Sequence, residues 1–81
     1  MKKHILGTVL HADVLRLTTG IQAALISMAQ DGKEPLYPIS VFESYVVRKF
    51  NCKESDAEKL TEKILNTGII RMSIYDQCFT L

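Results

Sequence analysis

The sequence predicts a small α+β domain, mainly helical, with three helices followed by a C-terminal β-hairpin. Apolar residues between Leu10 and Met28 recur at helical spacing. Two later segments, at Ser40 and Ser55, each open on the signature of a helix N-terminus. From Ile70 onward, apolar and polar residues alternate with the period of a strand. With 81 residues the chain has the length of one domain, and 47% hydrophobic residues is the composition of a folded one. We read residues 1–81 as a single unit. Residues 1–19 form an N-terminal arm or helix, and residues 20–81 form a helix-turn-helix with a hairpin.

The first residues, through Leu10, read equally as a short strand or as a lead into a helix. Leu10, Val14, Leu17, Ile21, Ala24 and Met28 then follow at spacings of 4, 3, 4, 3 and 4, a seam along one helix face that Leu25 widens. Thr18, Thr19 and Gly20 are weak helix formers. The segment is therefore either one helix of about 20 residues or two pieces divided near Thr19. Asp31-Gly32 ends it, because glycine accepts the left-handed conformation that closes a helix.

Pro35 and Pro38 exclude a helix between them, so Leu36 and Tyr37 read as a short extended segment against a sheet edge. Ser40 caps the second helix, with Glu43 completing a capping box. Its apolar positions are Val41, Phe42, Tyr45, Val46 and Phe50, and Asn51 ends it. Ser55 caps the third helix, with Glu58 three residues on and Asp56 in the first turn. Ala57, Leu60 and Ile64 form its inner stripe, and Asn66-Thr67-Gly68 closes it. If Asp76-Gln77 is a two-residue turn, Ile74 faces Phe79, Met72 faces Leu81, Ser73 faces Thr80 and Tyr75 faces Cys78. The expected core is Phe42, Val46, Leu60, Ile64, Ile70, Ile74 and Phe79.

This order of elements resembles the winged-helix superfamily, a helix-turn-helix variant with a hairpin wing. Leu36-Tyr37-Pro38-Ile39 looks like the first short strand, Ser40 to Phe50 like the positioning helix and Ser55 to Asn66 like the recognition helix. Leu65-Asn66-Thr67-Gly68-Ile69-Ile70 is similar to the usual exit into the wing. The resemblance implies a DNA-binding regulator. It departs from the pattern at the wing tip, where Asp76-Gln77 stands in place of basic residues.

Charge and chemistry narrow the function. The net charge is +1, so any nucleic-acid affinity must come from a local patch. The candidate DNA contacts are Arg48, Lys49, Lys53, Ser55, Lys59, Lys63 and Arg71, with Arg48, Lys49 and Lys53 expected as one basic cluster around the turn between helices two and three. Asp56, Glu58 and Glu62 are expected to share the outer face of the third helix with Lys59 and Lys63. Leu10, Val14 and Leu17 are the expected dimerisation residues, because they extend beyond what the core needs.

His4, His11, Cys52 and Cys78 lack the spacing of a metal site. Cys52 reads as semi-exposed and Cys78 as packed, both reduced. No nucleophile elbow or phosphate loop is present, so we expect no enzyme and no cofactor. The lysines at the N-terminus lead only a short apolar run, interrupted by His11 and Asp13, which argues against a signal peptide or membrane anchor and for the cytoplasm. The expected function is a small, homodimeric, DNA-binding regulator. The alternative is a protein-interaction module, of the phage or plasmid accessory kind, that docks on a host or partner protein.

Overall fold

A computed structural model describes residues 11–75 and 77–81. Leu10 and Asp76 fall outside the described residues. The order is α1 (His11–Gln30), β1 (Tyr37–Pro38), α2 (Ile39–Phe50), α3 (Glu54–Asn66), β2 (Arg71–Ser73) and β3 (Cys78–Thr80). The three strands form an antiparallel sheet in the order β1-β3-β2. The fold is α+β and mainly helical, and a winged-helix-like arrangement is compatible with it.

α1 is one continuous helix through Thr18 and Gly20. The threonines bond back into the helix and do not cap a second one. Thr18 donates its hydroxyl proton to the Val14 carbonyl at 2.7 Å, and Thr19 to that of Arg16 at 3.0 Å. This satisfies a hydroxyl that is wholly buried in the core. The inward stripe is Val14, Thr18, Ile21 and Leu25, with Leu17 and Met28 packed at its margin. Ala24, expected on the seam, is exposed. Turning the helix toward Leu25 buries a larger apolar side chain than Ala24 offers. The C-terminus is a Schellman motif. Gly32 takes φ +77°, its N–H donates to the Ala29 carbonyl, and the Lys33 N–H donates to that of Met28.

Both expected caps are corrected. α2 starts at Ile39, with Pro38 at the N-cap and no side-chain cap. Pro38 is already extended as part of β1, so the helix can begin at the next residue. The Ile39 N–H, the first donor of the helix, donates at 3.1 Å to the Gln77 carbonyl in the hairpin loop. α3 starts at Glu54, with Lys53 at the N-cap and Ser55 exposed inside the helix. The Lys53 carbonyl accepts from the N–H groups of Asp56 and Ala57.

Between the helices, Asn51 adopts the left-handed conformation at φ 50° that ends α2. Cys52, expected to be semi-exposed, is 0% exposed in the core, where its thiol donates to the Val46 carbonyl at 3.8 Å. Asp56 also turns inward, at 1% exposure, and does not join the outer face of α3. Its place in the first turn suits a negative charge at the positive end of the helix dipole.

The hairpin register differs from expectation by two residues. Arg71 pairs with Thr80, Met72 with Phe79 and Ser73 with Cys78, leaving residues 74–77 as the loop. A tight two-residue turn favours glycine or asparagine, which Asp76-Gln77 lacks. The wider loop closes with Gln77 at φ 49°, its N–H donating to the Ser73 carbonyl at 2.9 Å. A two-residue slip leaves every strand side chain on its expected face. It also carries Ile74 out of the core to 79% exposure, and Met72 and Leu81 are exposed as well. The rest of the expected core is buried: Phe42, Val46, Leu60, Ile64, Ile70 and Phe79. Val41 and Tyr45 point outward.

Ile64→Ala should lower the unfolding free energy by about 2–5 kcal/mol, whereas Ile74→Ala should change it by about 0.5 kcal/mol or less. Urea denaturation of both variants checks the register, and equal losses would refute it. A Cβ added at Gly20 meets nothing within 4 Å. Gly20→Ala should therefore stabilise the domain by about 0.5–1 kcal/mol, read as a rise in melting temperature.

Candidate interaction face

Residues four apart on a helix lie above one another on one face. On α3 this makes two neighbouring exposed rows. One is Glu54, Glu58 and Glu62; the other is Ser55, Lys59 and Lys63. The glutamate row is the one beside α2. Glu54 and Glu58 line a groove of about 420 Å³ with Glu43, Ser44, Val47 and Arg48 of α2. Glu62 lines a second groove, of about 630 Å³, with Ile39, Glu43, Leu65, Met72 and Ile74. Ser40 and Glu43 border both, so the two grooves adjoin. Lys59 and Lys63 line neither.

Glu43 stands where the grooves meet. Its carboxylate accepts the Thr61 hydroxyl proton at 2.9 Å, and that hydroxyl also lies 3.1 Å from the Ala57 carbonyl. Thr61 is buried, so the bond ties the middle of α3 to the first turns of α2 and fixes the carboxylate in place. Glu43 was expected to reach back to its own helix start. The Gln77 carbonyl serves one donor there, and Glu43 faces α3 instead.

All seven residues expected to contact DNA are exposed, but they do not form one patch. Arg48 lies in the groove with Glu54 and Glu58, its Nε donating to the Ser44 carbonyl at 3.4 Å. Lys49 turns to the other side of α2, donating to the Tyr45 hydroxyl at 2.8 Å with its ammonium 5.4 Å from the ring centre. The expected cluster of Arg48, Lys49 and Lys53 is thus divided, because consecutive helix positions point about 100° apart. Arg71 stands on β2, opposite Thr80 of β3.

Of the expected dimerisation residues, Leu10 lies outside the described residues. Val14 is 6% exposed, inside the chain's own core. Leu17 packs against that core and borders a shallow hollow of about 220 Å³ with Gly20, Tyr37 and Tyr45.

The exposed apolar residues at the wing were not anticipated. Ile74 and Tyr75 occupy the loop at 79% and 97% exposure, beside Met72 at 47%. The missing turn glycine was the signal that could have revealed them. Among the described residues, no group of three His, Cys, Asp or Glu is placed to hold a metal ion, and no helix is long and apolar enough to cross a membrane. Both cysteines are buried and neither forms a disulfide.

Comparison with protein-family models, curated proteins and solved structures gave no match. The winged-helix resemblance therefore rests on the order of the elements, with which the fold is compatible.

Thr61→Val keeps the shape of the side chain and removes the donor to Glu43. It should lower stability by about 1 kcal/mol, measured as a shift in the urea midpoint at unchanged slope. No shift would mean that this bond does not hold α2 to α3.

Proposed function

We propose that the chain is a non-enzymatic protein-interaction module of winged-helix-like architecture, and that it docks through the face made by α2, α3 and the hairpin. The carrying observation is the row Glu54, Glu58 and Glu62 on the exposed side of α3, next to a wing loop that exposes Ile74 and Tyr75. A DNA-binding surface gains affinity by neutralising phosphates. A glutamate can accept from cytosine in the major groove, yet a row of carboxylates repels the backbone on either side of such a contact. Exposed aliphatic and aromatic side chains beside a groove are what a protein interface desolvates. A cytoplasmic setting, where thiols stay reduced, suits two buried cysteines that form no disulfide.

A second reading, a DNA-binding regulator acting as a homodimer, is favoured by the adjacent row of Ser55, Lys59 and Lys63. In that reading these residues and Arg71 meet the phosphates.

Titration with random duplex DNA at increasing salt separates the two. Several phosphate contacts give a steep fall of affinity, about a thousandfold or more between 50 and 200 mM salt. We expect binding no tighter than about 0.1 mM near physiological salt, the weak end of non-specific association. Tighter binding with a steep slope, lost in Lys59→Glu/Lys63→Glu, would replace the protein reading with the DNA one.

A further inference from the structure

Resting on the protein-binding reading, we propose that the two adjoining grooves along α2, α3 and the hairpin together receive a short cationic, amphipathic segment of a partner protein. Its apolar side chains lie on Ile39, Leu65, Met72 and Ile74, and its lysines or arginines meet Glu43, Glu58 and Glu62.

The two requirements come from different parts of the two grooves. The end near the hairpin is apolar. Ile39 and Leu65 are half-buried there, while Met72 is about half exposed and Ile74 stands largely in solvent at the edge. Covering such side chains is favourable by roughly 25 cal/mol per Å² removed from water. The rim is acidic. Glu43, Glu54, Glu58 and Glu62 line the two grooves, and Arg48 is the sole cation among the described residues that do so. The whole chain carries a net charge of +1, so attraction for a cation here is local and not a property of the whole protein.

Size and rigidity agree with a short segment. The rise from Glu54 to Glu62 is about 12 Å along the helix, the length of about four residues of extended chain. Glu43 is already held by Thr61, so binding does not have to immobilise that carboxylate. The same rim selects against other occupants. A second copy docked by this face would set glutamates against glutamates, and nucleic acid or an anionic membrane would bring phosphates to the same carboxylates.

The test uses the full chain and three fluorescent synthetic peptides of alternating residues: Leu with Lys, Leu with Glu, and Leu with Ser. Fluorescence anisotropy reads the binding. The Leu-Lys peptide should bind best, and more weakly as salt is raised. Glu58→Gln/Glu62→Gln should weaken it by about three- to tenfold, the effect of losing two exposed ion pairs. Glu58→Lys/Glu62→Lys should shift preference to the Leu-Glu peptide. All these positions are exposed, and unchanged far-UV circular dichroism verifies the fold. Leu-Lys binding that ignores both glutamate variants would overturn the proposal, as would no binding by any of the three. Equal binding of the Leu-Ser peptide, lost in Ile74→Ser, would overturn the charge selectivity and leave the protein-binding reading standing. Salt-steep DNA binding without peptide binding would remove both.

Discussion

Phe79 lies on the middle strand of the sheet, and its ring is met edge-on by Tyr37 from β1 and Phe42 from α2, with centroids 6.2 and 5.4 Å away. Tyr37 and Phe42 meet each other at 6.4 Å, closing a triangle of T-shaped contacts. Among the described residues, β1 and β2 each pair only with β3. The strand that carries Phe79 therefore joins the connector before α2 to the chain after α3. In a domain of 81 residues, with little surface to bury, such a junction constrains everything attached to it. Leu25, Val46, Leu60, Ile64 and Ile70 complete the same core, which brings α1, the helix pair and the hairpin to one centre.

The groove follows from this junction. With β3 fixed, the loop before it passes the start of α2, and the Gln77 carbonyl accepts the Ile39 N–H. The Thr61 hydroxyl then bridges to Glu43, so the two helices and the wing border one channel. At the helix starts, the Gln77 carbonyl takes the Ile39 N–H of α2, and the Lys53 carbonyl takes the Asp56 and Ala57 N–H groups of α3.

What the sequence reveals here is what depends on near neighbours. Gly32, Asn51 and Gly68 end their helices where expected, because a left-handed φ is a property of the residue itself. The inner stripes of α2 and α3 follow from 3.6-residue spacing. The features that escape it depend on distant groups. Ser40 and Ser55 read as caps, but the N-caps are Pro38 and Lys53, neither with a side-chain cap, and a carbonyl at position 77 takes the first donor of α2. The hairpin slip leaves side-chain parity intact, so alternation could not detect it. Asp56 stands four residues before Leu60 and faces inward with it, against the usual preference of a carboxylate for water. The exposure of the seven polar residues proposed for DNA was legible, but their grouping was not. Arg48 and Lys49 are adjacent in sequence but turn to different sides of α2.

The hairpin loop performs its structural task through its main chain. The Gln77 N–H bonds to Ser73 and the Gln77 carbonyl to Ile39, while Ile74 and Tyr75 project into solvent. The side chains at positions 74 and 75 thus carry no share of the fold's stability beyond their own immediate surroundings. Substitution there is close to neutral for folding and decisive for what the loop can touch. Such a loop can diverge quickly among descendants of one ancestor, changing the recognised surface while the scaffold beneath it stays the same.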